Sequence, residues 1–103
     1  MQTQELQKKC CELVGELDRK YAIERDSHLS FTQLMEEIGE LAKDINYPRL
    51  RGKETDIENL QGEFGDVFMQ LCALAELYQI DIEKAALAKI NIVAERNGLS
   101  RKI

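Results

Sequence analysis

Apolar residues recur every three or four positions along four separate stretches of the chain, which is the spacing of one face of an α-helix. No stretch shows the strict alternation of a half-buried strand. The four sets of apolar positions are Leu6, Cys10, Leu13, Leu17 and Tyr21; Leu34, Ile38, Leu41 and Ile45; Leu60, Phe64, Val67, Phe68, Leu71, Ala75 and Tyr78; and Ile82, Ala85, Ala86, Ala88, Ile92 and Val93. The pattern predicts an all-α fold of four helices.

Capping and turn residues predict where the first two helices begin and end. The first helix should cover residues of about 4 to 21, and a loop should follow it as far as Leu29. Ser30 with Gln33 three residues later is a capping-box pattern, so the second helix should begin there and run to about Ile45. Residues 46–54 include the only proline of the chain and are therefore expected to form a loop.

The same signals place the last two helices. Thr55 with Glu58 forms a second capping-box pattern, which opens a helix that should end near Tyr78. Asp81 is the expected N-cap of the fourth helix, and Asn97-Gly98 is a typical helix-ending pair.

The length of 103 residues predicts a single domain, residues 1–103, with a small core. A chain of this size buries only roughly 60 to 70% of its unfolded surface. We therefore expect a four-helix, bundle-like fold whose core is completed by self-association into a dimer or a tetramer.

The sequence lacks the features of membrane-spanning, secreted and disulfide-rich proteins. No apolar run is long enough to span a bilayer, and no signal peptide is visible. Three cysteines, two of them adjacent, do not suggest a disulfide framework, and Cys72 is expected to be a core residue. These features predict a cytoplasmic protein with no membrane partner.

The net charge of −5 argues against a nucleic-acid polymer as partner, because such binding requires a basic surface. One predicted loop nevertheless carries three basic residues, Arg49, Arg51 and Lys53. They either contact the phosphates of a small ligand or keep the loop in solution, and the sequence leaves both interpretations open.

Two pairs of acidic residues flank the apolar stripes of the second and third helices. Glu37 and Glu40 lie three residues apart on one helix, and Glu63 and Asp66 lie three residues apart on the other. If these helices pack antiparallel, the four carboxylates converge and repel one another unless a cation lies between them. All four candidate ligands are oxygens, which favours Mg²⁺, or Mn²⁺, over iron or zinc. The alternative is that each pair is part of a solvated helix face.

Together the acidic residues form the pattern E-E-x-x-E, from Glu36 to Glu40, followed by E-x-x-D in the segment Glu63-Phe64-Gly65-Asp66. This double motif resembles that of the MazG-like, all-α nucleoside triphosphate pyrophosphohydrolases, and the resemblance runs from about Phe31 to Arg96. It implies Mg²⁺-dependent hydrolysis of a nucleoside triphosphate, often a deoxy or non-standard one, to the monophosphate and pyrophosphate.

The resemblance also implies roles for individual residues. Glu37, Glu40, Glu63 and Asp66 would hold the Mg²⁺, and a water would attack the α-phosphorus with pyrophosphate as the leaving group. The catalytic residues would be Glu36 and Glu37. Glu37 would act as one of the metal ligands, and Glu36, whose helical angle points away from the other carboxylates, would orient the ligands or accept a proton. The family's basic pattern at the end of the last helix is matched by Arg96 alone; Lys89, one turn out of place, and Asn91 complete the candidate substrate contacts.

Two other functions remain open at the level of the sequence. One is a sister activity on the same fold, such as phosphoribosyl-ATP pyrophosphohydrolysis. The other is a helical interaction module without catalysis, whose acidic edges are solvated or bind a basic partner.

Overall fold

Four helices and no strand make up residues 2–100, the part of the chain that the computed structural model describes. They are α1 (Thr3–Lys20), α2 (Ser27–Leu50), α3 (Ile57–Leu77) and α4 (Ile82–Arg96). The all-α, four-helix prediction is therefore confirmed. Within the same residues, no helix is both long and apolar enough to cross a bilayer.

Helices α2 and α3 form an antiparallel hairpin, which is the most extensive packing in the molecule. Glu37 lies beside Asp66, and Asp44 lies beside Asn59. As residue numbers rise along α2, the facing numbers on α3 fall by the same amount. This register places the acidic flanks of the two helices opposite each other.

Helix α1 packs across α3 and is held by polar contacts at its first turns. The side chain of Gln7 is buried; its Nε2 donates to the carbonyl of Ile80 at 2.8 Å, and its Oε1 accepts from the backbone N–H of Ile82 at 2.9 Å. Gln7 thereby satisfies backbone groups of the α3–α4 connection that would otherwise be unpaired. Helix α4, which follows this connection, packs against α1.

The thiols sit where α1 meets α3. Cys72 is fully buried, as predicted for a core residue, and the thiol of Cys11 donates to its carbonyl at 3.4 Å. Burial is the main cause that raises the pKa of Cys72 to about 12 and that of Cys11 to about 11. Because the thiolate is the nucleophilic form, neither cysteine is activated near neutral pH.

The prediction that Ser30 caps α2 is wrong. Asp26 is the N-cap, with its Oδ1 accepting from the backbone N–H of Leu29 at 2.8 Å. Ser30 is instead buried inside the helix, where its Oγ accepts from Arg25 Nη1 at 2.8 Å. Arg25 also donates two hydrogen bonds, of 2.7 and 2.9 Å, to the carboxylate of Asp18 on α1. This arginine therefore links α1 to α2, and its bond to Ser30 Oγ takes the place of a capping bond.

The predicted loop at residues 46–54 is also wrong over its first half, because α2 continues to Leu50. Pro48 lies in the last turn of the helix, where its missing N–H costs only one hydrogen bond close to the natural end. Gly52 then adopts a φ of +64°, and the N–H of Lys53 bonds back to the carbonyl of Pro48 at 2.7 Å, which closes the helix.

The second capping box is displaced by one residue. Asp56, and not Thr55, caps α3, since its Oδ1 accepts from the backbone N–H of Asn59 at 3.1 Å. Both signals of α4 are confirmed: Asp81 accepts from the N–H of Lys84 at 3.1 Å, and the helix ends before Asn97, with Gly98 at a φ of +69°.

The core of a single chain is small. Its buried apolar residues are Cys10, Val14, Leu34, Cys72, Ala73, Ala75 and Ala94, whereas twenty-two large apolar side chains of the described part are exposed, Leu50 at 77% and Phe64 at 57% among them. The radius of gyration is 16.6 Å, against about 13 Å for a compact domain of 100 residues. The four helices thus form an open arrangement rather than a closed bundle.

Candidate metal centre

Three carboxylates converge in the groove between α2 and α3. One oxygen each from Glu37, Glu63 and Asp66 lies within 4.8 Å of the others. Glu63 and Asp66 are three residues apart and so lie on the same face of α3, while the antiparallel register brings Glu37 of α2 to meet them. Glu37 and Glu63 are half-buried and Asp66 is exposed, so the group opens to solvent on one side.

The spacing of these oxygens fits a small divalent cation. Oxygens that share an octahedral Mg²⁺ at 2.0–2.1 Å are about 3 Å apart when adjacent and about 4 Å apart when opposite. The oxygens of the three carboxylates lie within 4.8 Å of one another, which is close enough for one cation to be shared by all three. No thiol or imidazole takes part in the group, so its chemistry suits Mg²⁺ or Mn²⁺.

The electrostatics of the group also favour a cation. Partial burial and the neighbouring charge of Asp66, followed by the charges of Glu40 and Glu36, raise the pKa of Glu37 above its ordinary value. The pKa of Glu63 is raised by loss of solvation first and then by Asp44, Asp66 and Glu40. In each case the negative form is disfavoured by its surroundings, and a bound cation would relieve that cost.

Two other residues of the acidic motif lie beside this group and not in it. Glu40 is exposed, and its carboxylate does not belong to the trio within 4.8 Å, although its charge acts on both Glu37 and Glu63. Glu36 is exposed on the outer side of α2 and acts on Glu37 by charge alone. Of the four carboxylates predicted to converge, the structure therefore brings three together.

Two residues that sequence reasoning missed border the site. Asp44 follows Glu40 by four positions on α2, and Asn59 precedes Glu63 by four positions on α3, so each extends the polar flank of its helix by one turn. Asn59 Nδ2 donates to Asp44 Oδ2 at 2.8 Å across the groove. The repeated spacing of three or four was a signal that could have identified both residues.

A further polar group lies at the other end of the flank. Gln70 follows Asp66 by one turn of α3, and its Oε1 is buried without a hydrogen-bond partner among the described residues. Buried acceptors are nearly always paired in folded proteins, so this oxygen has capacity left for a donor.

The candidate substrate contacts are on a different part of the molecule. Lys89, Asn91 and Arg96 are exposed on α4, which packs against α1 and not along the α2–α3 hairpin that carries the carboxylates. Lys89 borders an apolar groove on α4 with Ile90 and Val93. Within one chain these three side chains are not assembled with the acidic group.

Two basic side chains near the end of α2 contact an aromatic ring of the same helix. The guanidinium of Arg51 lies 4.8 Å from the centre of the Tyr47 ring, and the ammonium of Lys43 lies 5.7 Å from it. The cation–π contact with Tyr47 holds the guanidinium of Arg51 against the helix end. Arg49 and Lys53 remain exposed.

Comparison with known proteins gives a family match over most of the chain. The family model described as the MazG nucleotide pyrophosphohydrolase domain matches residues 25–97, which include α2, α3, α4 and every residue of the acidic group. No curated protein and no solved structure matched the chain.

Proposed function

The chain belongs to the MazG nucleotide pyrophosphohydrolase family, and from that premise we propose that it hydrolyses a nucleoside triphosphate to the monophosphate and pyrophosphate with Mg²⁺, or Mn²⁺, as cofactor. The observation that carries the proposal is the convergence of Glu37, Glu63 and Asp66 within 4.8 Å in the groove between two helices. A deoxy or non-standard nucleotide is the expected substrate.

The acidic group supports the proposed binding of metal and triphosphate. Glu37, Glu63 and Asp66 would hold the cation, with the exposed Glu40 next to them as a fourth negative charge. When bound, Mg²⁺ neutralises phosphate charge and lowers the pKa of a coordinated water. The group is exposed on the side of Asp66, and this is where we propose that the triphosphate binds.

The reaction consumes one water. A new bond forms between the water oxygen and the α-phosphorus, the bond from the α-phosphorus to the bridging oxygen breaks, and pyrophosphate leaves. Glu36 stays our proposed proton acceptor or orienting residue, because it is adjacent to Glu37 and its charge acts on that carboxylate. We propose Lys89, Asn91 and Arg96 as phosphate contacts.

A pyrophosphate-release screen over nucleoside triphosphates, with Mg²⁺ and with a chelator, tests the proposal. We expect at least one nucleotide to give monophosphate and pyrophosphate in equal amounts, and only when the cation is present. Absence of cation-dependent release for ordinary, deoxy and damaged nucleotides alike would refute it.

Self-association is part of the proposal. Within residues 2–100, twenty-two large apolar side chains are exposed and only seven apolar residues are buried. With a radius of gyration of 16.6 Å, the chain has more apolar surface than its own core covers. A symmetric dimer or tetramer would cover that surface. We propose that this assembly also places α4 of another copy beside the acidic groove, where Lys89, Asn91 and Arg96 would contact the phosphates.

We therefore expect the protein to sediment with at least twice the chain mass of 11.8 kDa at micromolar concentration. The physical reason is burial of apolar area, worth roughly 25 cal/mol per Å² before the costs of association. Sedimentation velocity over a hundredfold range of concentration is the measurement. A monomer at every concentration would contradict the expectation.

A further inference from the structure

Asp44 is fixed in place by a contact across the groove. Its Oδ2 accepts from Asn59 Nδ2 at 2.8 Å, and this bond joins α2 to α3 at the edge of the acidic group. Both residues stand one helical turn from a member of the acidic motif, Asp44 after Glu40 and Asn59 before Glu63. Among residues 2–100 it is the one side-chain hydrogen bond between these two helices, and it involves neither Glu37 nor Asp66.

Asp44 also lies next to Glu63, because Asn59, to which Asp44 is bonded, precedes Glu63 by one turn of α3. In agreement with this placement, Asp44 is among the causes that raise the pKa of Glu63. Glu63 therefore has Asp44 on one side and Glu37 with Asp66 on the other. Once Glu63 is ionised on a cation, a carboxylate held at Asp44 disfavours any position of Glu63 that turns back towards it. The favourable position for Glu63 is then the one facing Glu37 and Asp66.

We propose that Asp44, anchored by Asn59, is a positioning residue that directs Glu63 towards the cation held with Glu37 and Asp66. This inference rests on the proposed metal site and deepens it. Residues that support metal-binding carboxylates commonly change metal affinity or activity by 10- to 100-fold when they are removed. Asn59 carries no charge, so its contribution is one of geometry alone.

The test measures Mn²⁺ binding by the loss of the free-ion signal in electron paramagnetic resonance, without substrate. Asn59→Ala leaves the charge of the protein unchanged and places alanine at an exposed helical position where it is well tolerated. We expect it to weaken Mn²⁺ binding by about 10-fold. Gln61→Ala, an exposed neutral residue of the same helix, is the matched control and should bind Mn²⁺ like the wild type.

A double-mutant comparison shows whether Asn59 acts through Asp44. Asp44→Ala with Asn59→Ala should bind Mn²⁺ no more weakly than Asp44→Ala alone, since the anchor has no role once the carboxylate is gone. Asp44→Asn, which can still accept from Asn59 but lacks the charge, should also bind less tightly than the wild type. In turnover assays, Asn59→Ala should raise the Mg²⁺ concentration for half-maximal rate while the rate at saturating Mg²⁺ stays within about twofold.

Wild-type affinity in Asn59→Ala, or a loss in the double variant equal to the product of the single losses, would overturn the inference. Failure of the wild type to bind Mn²⁺ would overturn both the inference and the metal site. If the wild type binds Mn²⁺ and Asn59→Ala weakens it, but no nucleotide is hydrolysed, the positioning role stands and the proposed reaction falls.

Discussion

Glu63→Gln should reduce pyrophosphate release by at least about 100-fold while the helical fold is retained. Glu63 is central to the acidic group, with Asp66 on its own helix and Glu37 opposite. The amide keeps the shape of the side chain but removes one negative charge and one good ligand for a hard cation. Loss of a supporting residue around a metal commonly costs 10- to 100-fold, so loss of a direct ligand should cost at least the upper value.

The control for this prediction is Glu58→Gln, which makes the same chemical change on the same helix. Glu58 is exposed in the first turn of α3 and does not belong to the acidic group. Both variants are to be assayed at saturating Mg²⁺ and nucleotide, with circular dichroism to verify the fold. Turnover of Glu63→Gln at the rate of Glu58→Gln would exclude Glu63 as a ligand.

The second large effect concerns stability: Mg²⁺ should raise the melting temperature by on the order of 10 °C. A ligand that binds only the folded form stabilises it by RT ln(1 + [L]/Kd), about 2.7 kcal/mol at one hundred times Kd. For a domain of about 100 residues, each kcal/mol shifts the melting temperature by about 4 to 8 °C. NaCl at the same ionic strength screens the carboxylates but does not bind between them, so its effect should be much smaller. Protein concentration must be constant, because self-association also shifts the transition.

Glu37→Gln should raise the stability of the metal-free protein and remove most of the Mg²⁺ response. The folded environment raises the pKa of Glu37, so at neutral pH the ionised group destabilises the fold relative to the unfolded chain. The neutral amide relieves this cost and takes away a ligand. Equal melting shifts from Mg²⁺ and NaCl in the wild type would mean that the acidic flanks are only a solvated surface.

The same linkage gives a pH dependence with a definite sign. The folded protein holds protons on Glu37 and Glu63 more tightly than the unfolded chain, whose glutamates titrate near pH 4.3. These two groups should therefore stabilise the metal-free fold as the pH falls from neutrality through their raised pKa values. Added Mg²⁺ should oppose this trend, because protonation competes with metal binding.

The sequence predicted helices better than helix boundaries. Apolar spacing located all four helices, but hydrogen-bonding partners decided which residues cap them. Ser30 has the right chemistry for an N-cap, yet Asp26 is the N-cap, and the serine hydroxyl accepts a hydrogen bond from Arg25. Pro48 is a reliable helix breaker in the interior, whereas in the final turn of α2 it costs little. Competition of this kind depends on tertiary contacts that spacing does not encode.

The sequence predicted the candidate site only in part, as it did the helix boundaries. Spacing of three residues selected Glu37 with Glu40 and Glu63 with Asp66, because residues on one helix face can be identified from the sequence alone. Which residues of α2 face which residues of α3 depends on the register between the helices. That register leaves Glu40 beside the trio and brings Asp44 to Asn59, and neither result follows from one helix considered by itself.

The most direct test of the proposed reaction identifies its products in water enriched in ¹⁸O. The protein, Mg²⁺ and the best nucleotide from the release screen are incubated together, and the products are analysed by mass spectrometry. Attack of water on the α-phosphorus predicts nucleoside monophosphate carrying one ¹⁸O and pyrophosphate carrying none. Formation of nucleoside diphosphate and orthophosphate would contradict the account.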